Sequence, residues 1–406
     1  MNLKAFNAFI ASSVKKKTSI DHVFKTLTFM VIIRVFLEML LEGSHSLKFS
    51  PDFYTNIIGY LHMYLFSLSL FFTVSIPAAV YLELKYSEAL TLASLFSPLI
   101  LIPPIFDFIS TGGRGEHLFY IFDINTFFYN YLNCFNPLVE IKFISRGIRI
   151  EILTAFLATF YVSFFVFGKR LLRSLLLTVS IYTIIIIYGY LPALYSALGM
   201  DFYSLSGEAV SGISKSQKYL FMYLLPTILI SSVIGCLLYK ENRENLRTIV
   251  SFLFPSRLLF YVLLLVFGYL FISWQSNVYP QVLNSEDSLK LFSALFSITL
   301  LFFYAKILND IHDMEIDRIS NRERPLVKST LTVESAVHLN NIFIPLSFVF
   351  AIASEESFIF YWLFILSTSY VYSAPPLRLR KYYPPGHLIL SAIGVSIFLA
   401  GCSLIK

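Results

Sequence analysis

Charge is scarce in this sequence: 14% of its 406 residues are Asp, Glu, Lys or Arg, where a soluble domain carries about 25%. With 57% hydrophobic residues and a mean hydropathy of +0.71, the polar surface is too small to cover a soluble globule of this length. Cysteine is scarcer still. Cys134, Cys236 and Cys402 are scattered and show no CxxC spacing, which excludes a disulfide framework or a zinc site and leaves small apolar fillers. Disorder and collagen-like repeats are excluded by the same composition. No cleavable signal peptide is expected, because the apolar run that follows the polar, basic first 23 residues is long enough to span and lacks a small-residue cleavage pattern. What is abundant is aromatic: 42 Phe and 26 Tyr suit lipid-facing and interfacial positions. The composition predicts an all-α fold, a polytopic transmembrane helical bundle.

Apolar stretches fall at about 24–42, 56–82, 88–109, 150–167, 175–199, 219–239, 257–273, 289–308, 335–353, 357–373 and 387–404. Each approximates the 17–25 residues of a membrane-crossing helix, so about eleven spans are expected. A net charge of +6 invites a nucleic-acid reading, but the distribution of charge argues against it. With the N-terminus inside, 21 basic residues lie on inner segments and 9 on outer ones, with Arg34 inside a span. That bias orients the chain N-in and C-out in a membrane. It implies lipid as the surrounding partner and no nucleic acid. The outer loop 110–149 starts with a Gly-rich turn (Gly112, Gly113, Gly115) and carries the aromatic run Phe127, Phe128, Tyr129 and Tyr131, the pattern of a re-entrant or interfacial segment. The loop 200–218 is expected outside as well.

The charged stretch 240–256 marks a boundary between a six-span unit, 1–245, and a five-span unit, 246–406. The first unit offers few intramembrane polar groups. Arg34 and Glu38, four residues apart on one helix, are expected to neutralise each other as a structural pair. His62 reads as a hydrogen-bonded core residue, and Asp107, after the kinking Pro103–Pro104, is expected near the outer surface where hydration is cheap. Nothing there converges into a site, and its role is not legible.

The second unit is different. Residues 306–328 read KILNDIHDMEIDRISNRERPLVK directly after an apolar span. At about 100° per residue, Asp310, Asp313 and Asp317 share an arc of roughly 60°. Asn309 borders that arc, while His312 and Glu315 point away. Three carboxylates on one stripe repel one another unless a cation is shared among them. Mg²⁺ suits the spacing, since it takes carboxylates and water and is commonly bound together with a substrate's phosphates. Arg318, Arg322, Arg324 and Lys328 follow at once, and guanidinium groups grip phosphate oxygens in a fork. A solvated helix end with mixed charges is the bland alternative.

These residues resemble a known family. Asn309-Asp310-x-x-Asp313-x-x-x-Asp317, with Arg324-Pro325 seven residues on, is similar to the first aspartate-rich motif of the UbiA-type membrane prenyltransferases. A second segment, Tyr372-Ser373-Ala374-Pro375-Pro376-Leu377-Arg378-Leu379-Arg380-Lys381, is similar to the family's YSxPPxRxK segment. The resemblance covers about 250–406, the first five of the family's nine helices. It implies transfer of a prenyl chain from a prenyl diphosphate to a lipophilic acceptor with Mg²⁺, at the cytoplasmic side. Carried over, Asn309, Asp310, Asp313 and Asp317 would hold metal and diphosphate. Arg324, Arg378, Arg380 and Lys381 would steady the phosphates, and Tyr372 and Ser373 would line the pocket.

The sequence departs from the family pattern at two points. Lys328-Ser329 stands where the family has a small residue and Gly after its Arg-Pro pair. The family's second aspartate-rich motif, expected after a sixth helix, is absent up to Lys406. The sequence is therefore expected to be the front part of a longer protein and not to turn over by itself. The alternative readings are a catalytically silent protein that binds polyprenyl lipids and, third, a transporter built mainly by the first unit. The thin supply of paired Gly/Pro breaks counts against the transporter.

Overall fold

The computed structural model describes residues 3–16, 20–41, 53–113, 121, 123–136, 139, 141, 144–197, 226–233, 256–275 and 285–405. Among them every regular element is helical and none is a strand. Eight helices are long and apolar enough to cross a membrane: Met63–Leu82, Tyr86–Ser110, Arg146–Val166, Leu171–Gly189, Arg257–Gln275, Lys290–Ser320, Val333–Ser354 and Pro385–Cys402. They coincide with eight of the eleven expected spans. Two further expected spans are also helical, over 24–41 and 357–373, but carry more polar residues: Lys25, Arg34 and Glu38 in the first, and Ser, Thr and Tyr side chains in the second. The 219–239 span lies outside the described residues except for a helical piece at 226–233, and so do the 200–218 loop and all but the last residue of the 240–256 boundary.

By internal contacts the chain divides into two units, Met1–Leu237 and Leu238–Lys406. The first contains α1 (Leu3–Lys15), α2 (Ile20–Leu41), α3 (Phe53–Leu82), α4 (Tyr86–Phe96), α5 (Ile102–Ser110), α6 (Phe127–Asn133), α7 (Arg146–Tyr161), α8 (Leu171–Gly189) and α9 (Leu191–Ala197). A 3₁₀ turn at Ser97–Leu101 joins α4 to α5. Pro98 and then Pro103–Pro104 cause the break, because proline removes amide donors and fits only the first turn of the helix that follows.

Arg34 donates to Glu38 at 2.8 Å and also reaches Glu151 on α7 at 3.4 Å. The local pair is therefore a three-residue network spanning two helices. Asp107 corrects its sequence expectation: it is 1% exposed, not hydrated. The start of α7 stands in for water. Ser145 Oγ donates to Asp107 Oδ2 at 2.5 Å and the Gly147 amide to Oδ1 at 2.7 Å, using the free donors and positive end of a helix. A Cβ at Gly147 would lie 2.7 Å from the Pro103 backbone, so only glycine allows this approach.

The second unit contains α10 (Ser256–Gln275), α11 (Ser285–Ser320), α12 (Val333–Ser354), α13 (Glu356–Ser373) and α14 (Pro385–Cys402). Its core gathers Leu265, Tyr269, Leu301, Tyr304, Phe358 and Trp362. Antiparallel α11 and α12 exchange hydroxyl bonds, Ser297 to the Ser347 carbonyl at 2.8 Å and Ser347 to the Ser297 carbonyl at 2.9 Å. Trp362 Nε1 on α13 donates to Ser347 Oγ at 2.7 Å. Helices α10 and α14 touch backbone to backbone through Gly268 and Gly401, and Cys402 Sγ donates to the Gly268 carbonyl at 3.3 Å. Small residues give such close approach in membranes, where apolar surface alone does not drive helix pairing.

Candidate functional site

Helix α11 runs for 36 residues and ends beyond its apolar stretch. Asp310, Asp313 and Asp317 lie in its last three turns and are 3%, 2% and 6% exposed. Buried carboxylates here are doubly unfavourable, since they repel one another and face the negative end of the helix dipole. Cations must compensate for them.

Those cations come from α11 itself and from the two loops that follow α11 and α13. Lys306, one turn before Asp310, donates to it at 2.9 Å. The turn after α11 is wound by backbone bonds from Asn321 to Asp317 at 2.8 Å and from Lys328 to Arg324 at 2.9 Å. It brings Arg324 to both Asp310 and Asp317, the second at 3.3 Å through Nε. Ser329 closes this turn at φ 57°, the left-handed region that favours glycine. The Lys328-Ser329 departure thus keeps a glycine-like backbone shape.

The loop after α13 supplies Arg378 and Arg380. Arg378 donates to Asp313 Oδ1 at 2.7 Å and to the His312 carbonyl at 2.6 Å. Arg380 bonds Asp313 Oδ2 and Asn309 Oδ1, the latter at 2.5 Å. Arg378 itself sits at φ 41°, a conformation that costs about 1–2 kcal/mol for a residue with a Cβ. Its two bonds to α11 offset that strain. Partial burial draws the Arg380 guanidinium below its ordinary value, and nearby Asp310 pulls it back up; it stays charged. Asn309 completes the cluster by donating to Asp313 at 2.9 Å.

The structure thus brings Asn309, Asp310, Asp313, Asp317, Arg324, Arg378 and Arg380 together. Lys306 joins them; its i,i+4 spacing to Asp310 was the signal in the sequence. Other expected residues stand elsewhere. Arg318 and Arg322 are exposed, with Arg322 Nε turned onto the Arg318 carbonyl at 3.2 Å. Lys328 pairs with Glu323, and Lys381 is exposed. Tyr372 is half-buried and Ser373 buried at the end of α13. On the opposite face of α11, Glu315 is exposed and His312 Nδ1 contacts the Leu308 carbonyl at 2.8 Å.

Two buried polar atoms in this cluster make no hydrogen bond among the described residues: the donor Arg378 Nε and the acceptor Asp317 Oδ2. Such atoms are rare in folded proteins and call for a partner. A third, Asn340 Oδ1 on α12, could not be found by pattern. Taking the register from the contact between Phe303 and Phe343, Asn340 stands near the level of Lys306, about one helical turn from Asp310. No three His, Cys, Asp or Glu side chains converge into a metal cage among the described residues. The oxygen donors instead fit Mg²⁺ held by one or two carboxylates and completed by phosphate and water oxygens.

No solved structure matches the chain significantly. One curated relative, the digeranylgeranylglyceryl phosphate synthase of Methanocaldococcus jannaschii, is 28% identical over 115 residues, which is 28% of this chain. The match spans 40% of that relative's length. Residues 262–406, which lie within the second unit, match the UbiA prenyltransferase family.

Proposed function

We propose that the second unit binds the diphosphate end of a prenyl diphosphate and forms part of a membrane enzyme that transfers the prenyl chain to a lipophilic acceptor. The observation that carries this reading is the unsatisfied pair in one buried cluster. Arg378 Nε is a spare donor for a phosphate oxygen, and Asp317 Oδ2, which faces Arg324 Nε at 3.3 Å but accepts no hydrogen bond, keeps its lone pairs for a metal. Four cations (Lys306, Arg324, Arg378 and Arg380) face three carboxylates. The surplus positive charge suits an anion that arrives with a divalent metal.

Asn309, Asp310, Asp313 and Asp317 would hold Mg²⁺, and Arg324, Arg378, Arg380 and Lys381 would hold the phosphates. Bound Mg²⁺ supplies charge neutralisation at the diphosphate oxygens. Breaking an allylic C–O bond moves an electron pair onto the departing diphosphate, and the arginines stabilise that charge as it develops. Loops locked by backbone bonds hold their guanidinium groups in place beforehand. The apolar core behind them, with Leu301, Tyr304 and Phe358, would help keep water from the allylic cation. The bias of basic residues toward inner segments supports a cytoplasmic side for this end of α11. A silent prenyl-lipid-binding role is the second reading, supported by the fact that each carboxylate is already engaged by a cation.

The test uses the 406-residue chain in lipid nanodiscs. Geranylgeranyl diphosphate is expected to bind at least about tenfold more tightly with Mg²⁺ than with EDTA, a difference of about 1.4 kcal/mol, while geranylgeraniol is indifferent to the metal. Equal binding of alcohol and diphosphate, or no response to Mg²⁺, would overturn the assignment.

A further inference from the structure

In the first unit, α6 (Phe127–Asn133) presents an apolar face that the described residues leave uncovered. Phe128 is 75% exposed and Leu132 77%, and Tyr129 lies beside them. Positions 128 and 132 share one side of the helix. From Ile124 to Asn136 the sequence INTFFYNYLNCFN contains no charged residue, which is unusual for a segment facing water.

The exposure does not come from loose packing, because the other side of α6 is bonded down. Asn130 Nδ2 donates to Tyr190 OH at 2.5 Å, and Thr126 Oγ1 contacts the same hydroxyl at 2.9 Å. Phe127 packs edge-on against Tyr190. Beyond the helix, Arg149 grips the main chain, donating to the Cys134 carbonyl at 2.9 Å and the Val139 carbonyl at 2.7 Å.

The depth at which α6 is held identifies its partner. It lies between the end of the Tyr86–Ser110 span and the start of the Arg146–Val166 span. Tyr131 OH meets Thr183 Oγ1 at 3.0 Å, and Thr183 is six residues before the end of the Leu171–Gly189 span. At 1.5 Å per residue, that contact lies about 9 Å inside the span's end. A rigid aromatic face held near the end of an apolar span suits the boundary between lipid headgroups and acyl chains, where aromatic rings and interfacial helices settle.

We propose that α6 is an interfacial lipid anchor, seating Phe128, Tyr129 and Leu132 in one leaflet of the membrane around the first unit. The occupant is the lipid boundary itself, not a second protein.

Nitroxide labels at Leu132→Cys and, separately, Tyr129→Cys test this in a background with Cys134, Cys236 and Cys402 replaced by Ala. The protein is placed in phosphatidylcholine–phosphatidylglycerol vesicles, with a label at Asp123→Cys for comparison. Labels at 129 and 132 are expected to collide with oxygen more than with an aqueous nickel chelate, by severalfold relative to 123. Two labelled sites and the comparison label guard against one misfolded variant. Nickel accessibility at 129 and 132 equal to that at 123 would overturn the proposal in favour of a water-exposed loop. Dipolar broadening that grows with protein-to-lipid ratio would overturn it in favour of contact between copies.

Discussion

Replacing Gly401 with alanine tests how the second unit is held together behind its charged cluster. A Cβ at this position would lie 2.1 Å from the Leu265 carbonyl oxygen and 3.0 Å from the Tyr269 amide nitrogen. Ordinary contact needs about 3.4 Å or more, so α10 and α14 would have to separate by roughly 1 Å. Both obstructing atoms are backbone and cannot rotate aside. Overpacking typically costs about 1–3 kcal/mol, and the upper end is expected here. Gly394, two turns earlier on the same helix, provides the control, because the nearest atom to its added Cβ is Leu264 Cδ1 at 4.0 Å. There alanine should stabilise, by up to about 1 kcal/mol, since glycine is the weaker helix former. Unfolding of each variant in mixed micelles by SDS titration, followed by circular dichroism, reads the difference. Opposite signs are expected for the two substitutions. Equal effects, or a Gly401→Ala protein as stable as the parent, would refute the backbone contact. Arg380 lies just before α14, and its main chain touches the space beside Gly386, so the loosened variant should also bind diphosphate less tightly.

Two other expectations follow from single positions. Ser329→Gly should stabilise the turn that carries Arg324 by about 1 kcal/mol, because glycine enters the left-handed region without a Cβ penalty; a loss in the same SDS titration would contradict it. Glu83, joined to Lys169 and Arg173 at 2.7 and 2.6 Å, has its carboxyl lowered to about 2 by hydrogen bonds to those two cations. A lowered folded value gives stability that is present above the unfolded value of 4.5 and lost as pH falls through about 2. Glu83→Gln should therefore be less stable than the parent at neutral pH and indistinguishable below pH ~2; a gap that closes near pH 5 would contradict the pairing.

Local spacing carried much of the site, and distant contacts carried the rest. The stripe of Asp310, Asp313 and Asp317 was legible because one helix fixes the angles between its own residues. Its union with Arg378 and Arg380 joins residues 65 and 67 positions apart. Only the resemblance of the second segment to a known motif pointed to it. In the first unit no such motif existed. Glu151 meets Arg34 across 117 positions, and the spacing that revealed Glu38 could not reveal it. Sequence alone puts Asp107, after the kinking Pro103–Pro104, near the outer surface where hydration is cheap. The structure instead gives it the free amide at the start of α7, a contact 40 residues away. Asn340 shows a third limit, since an asparagine in an apolar helix carries no period to read.

The central claim is that buried carboxylates on one face of α11 hold a metal-bound diphosphate. It is tested most directly by Mg²⁺-dependent binding of geranylgeranyl diphosphate to Asp313→Asn beside Glu315→Gln. Asp313 is 2% exposed and bonded to Arg378 and Arg380, whereas Glu315 is exposed on the opposite face. The account predicts that Asp313→Asn loses at least about tenfold in Mg²⁺-dependent affinity, while Glu315→Gln, which alters only a screened surface charge, stays close to the parent. Equal losses in the two variants, or an Asp313→Asn protein that binds as well as the parent, would contradict it.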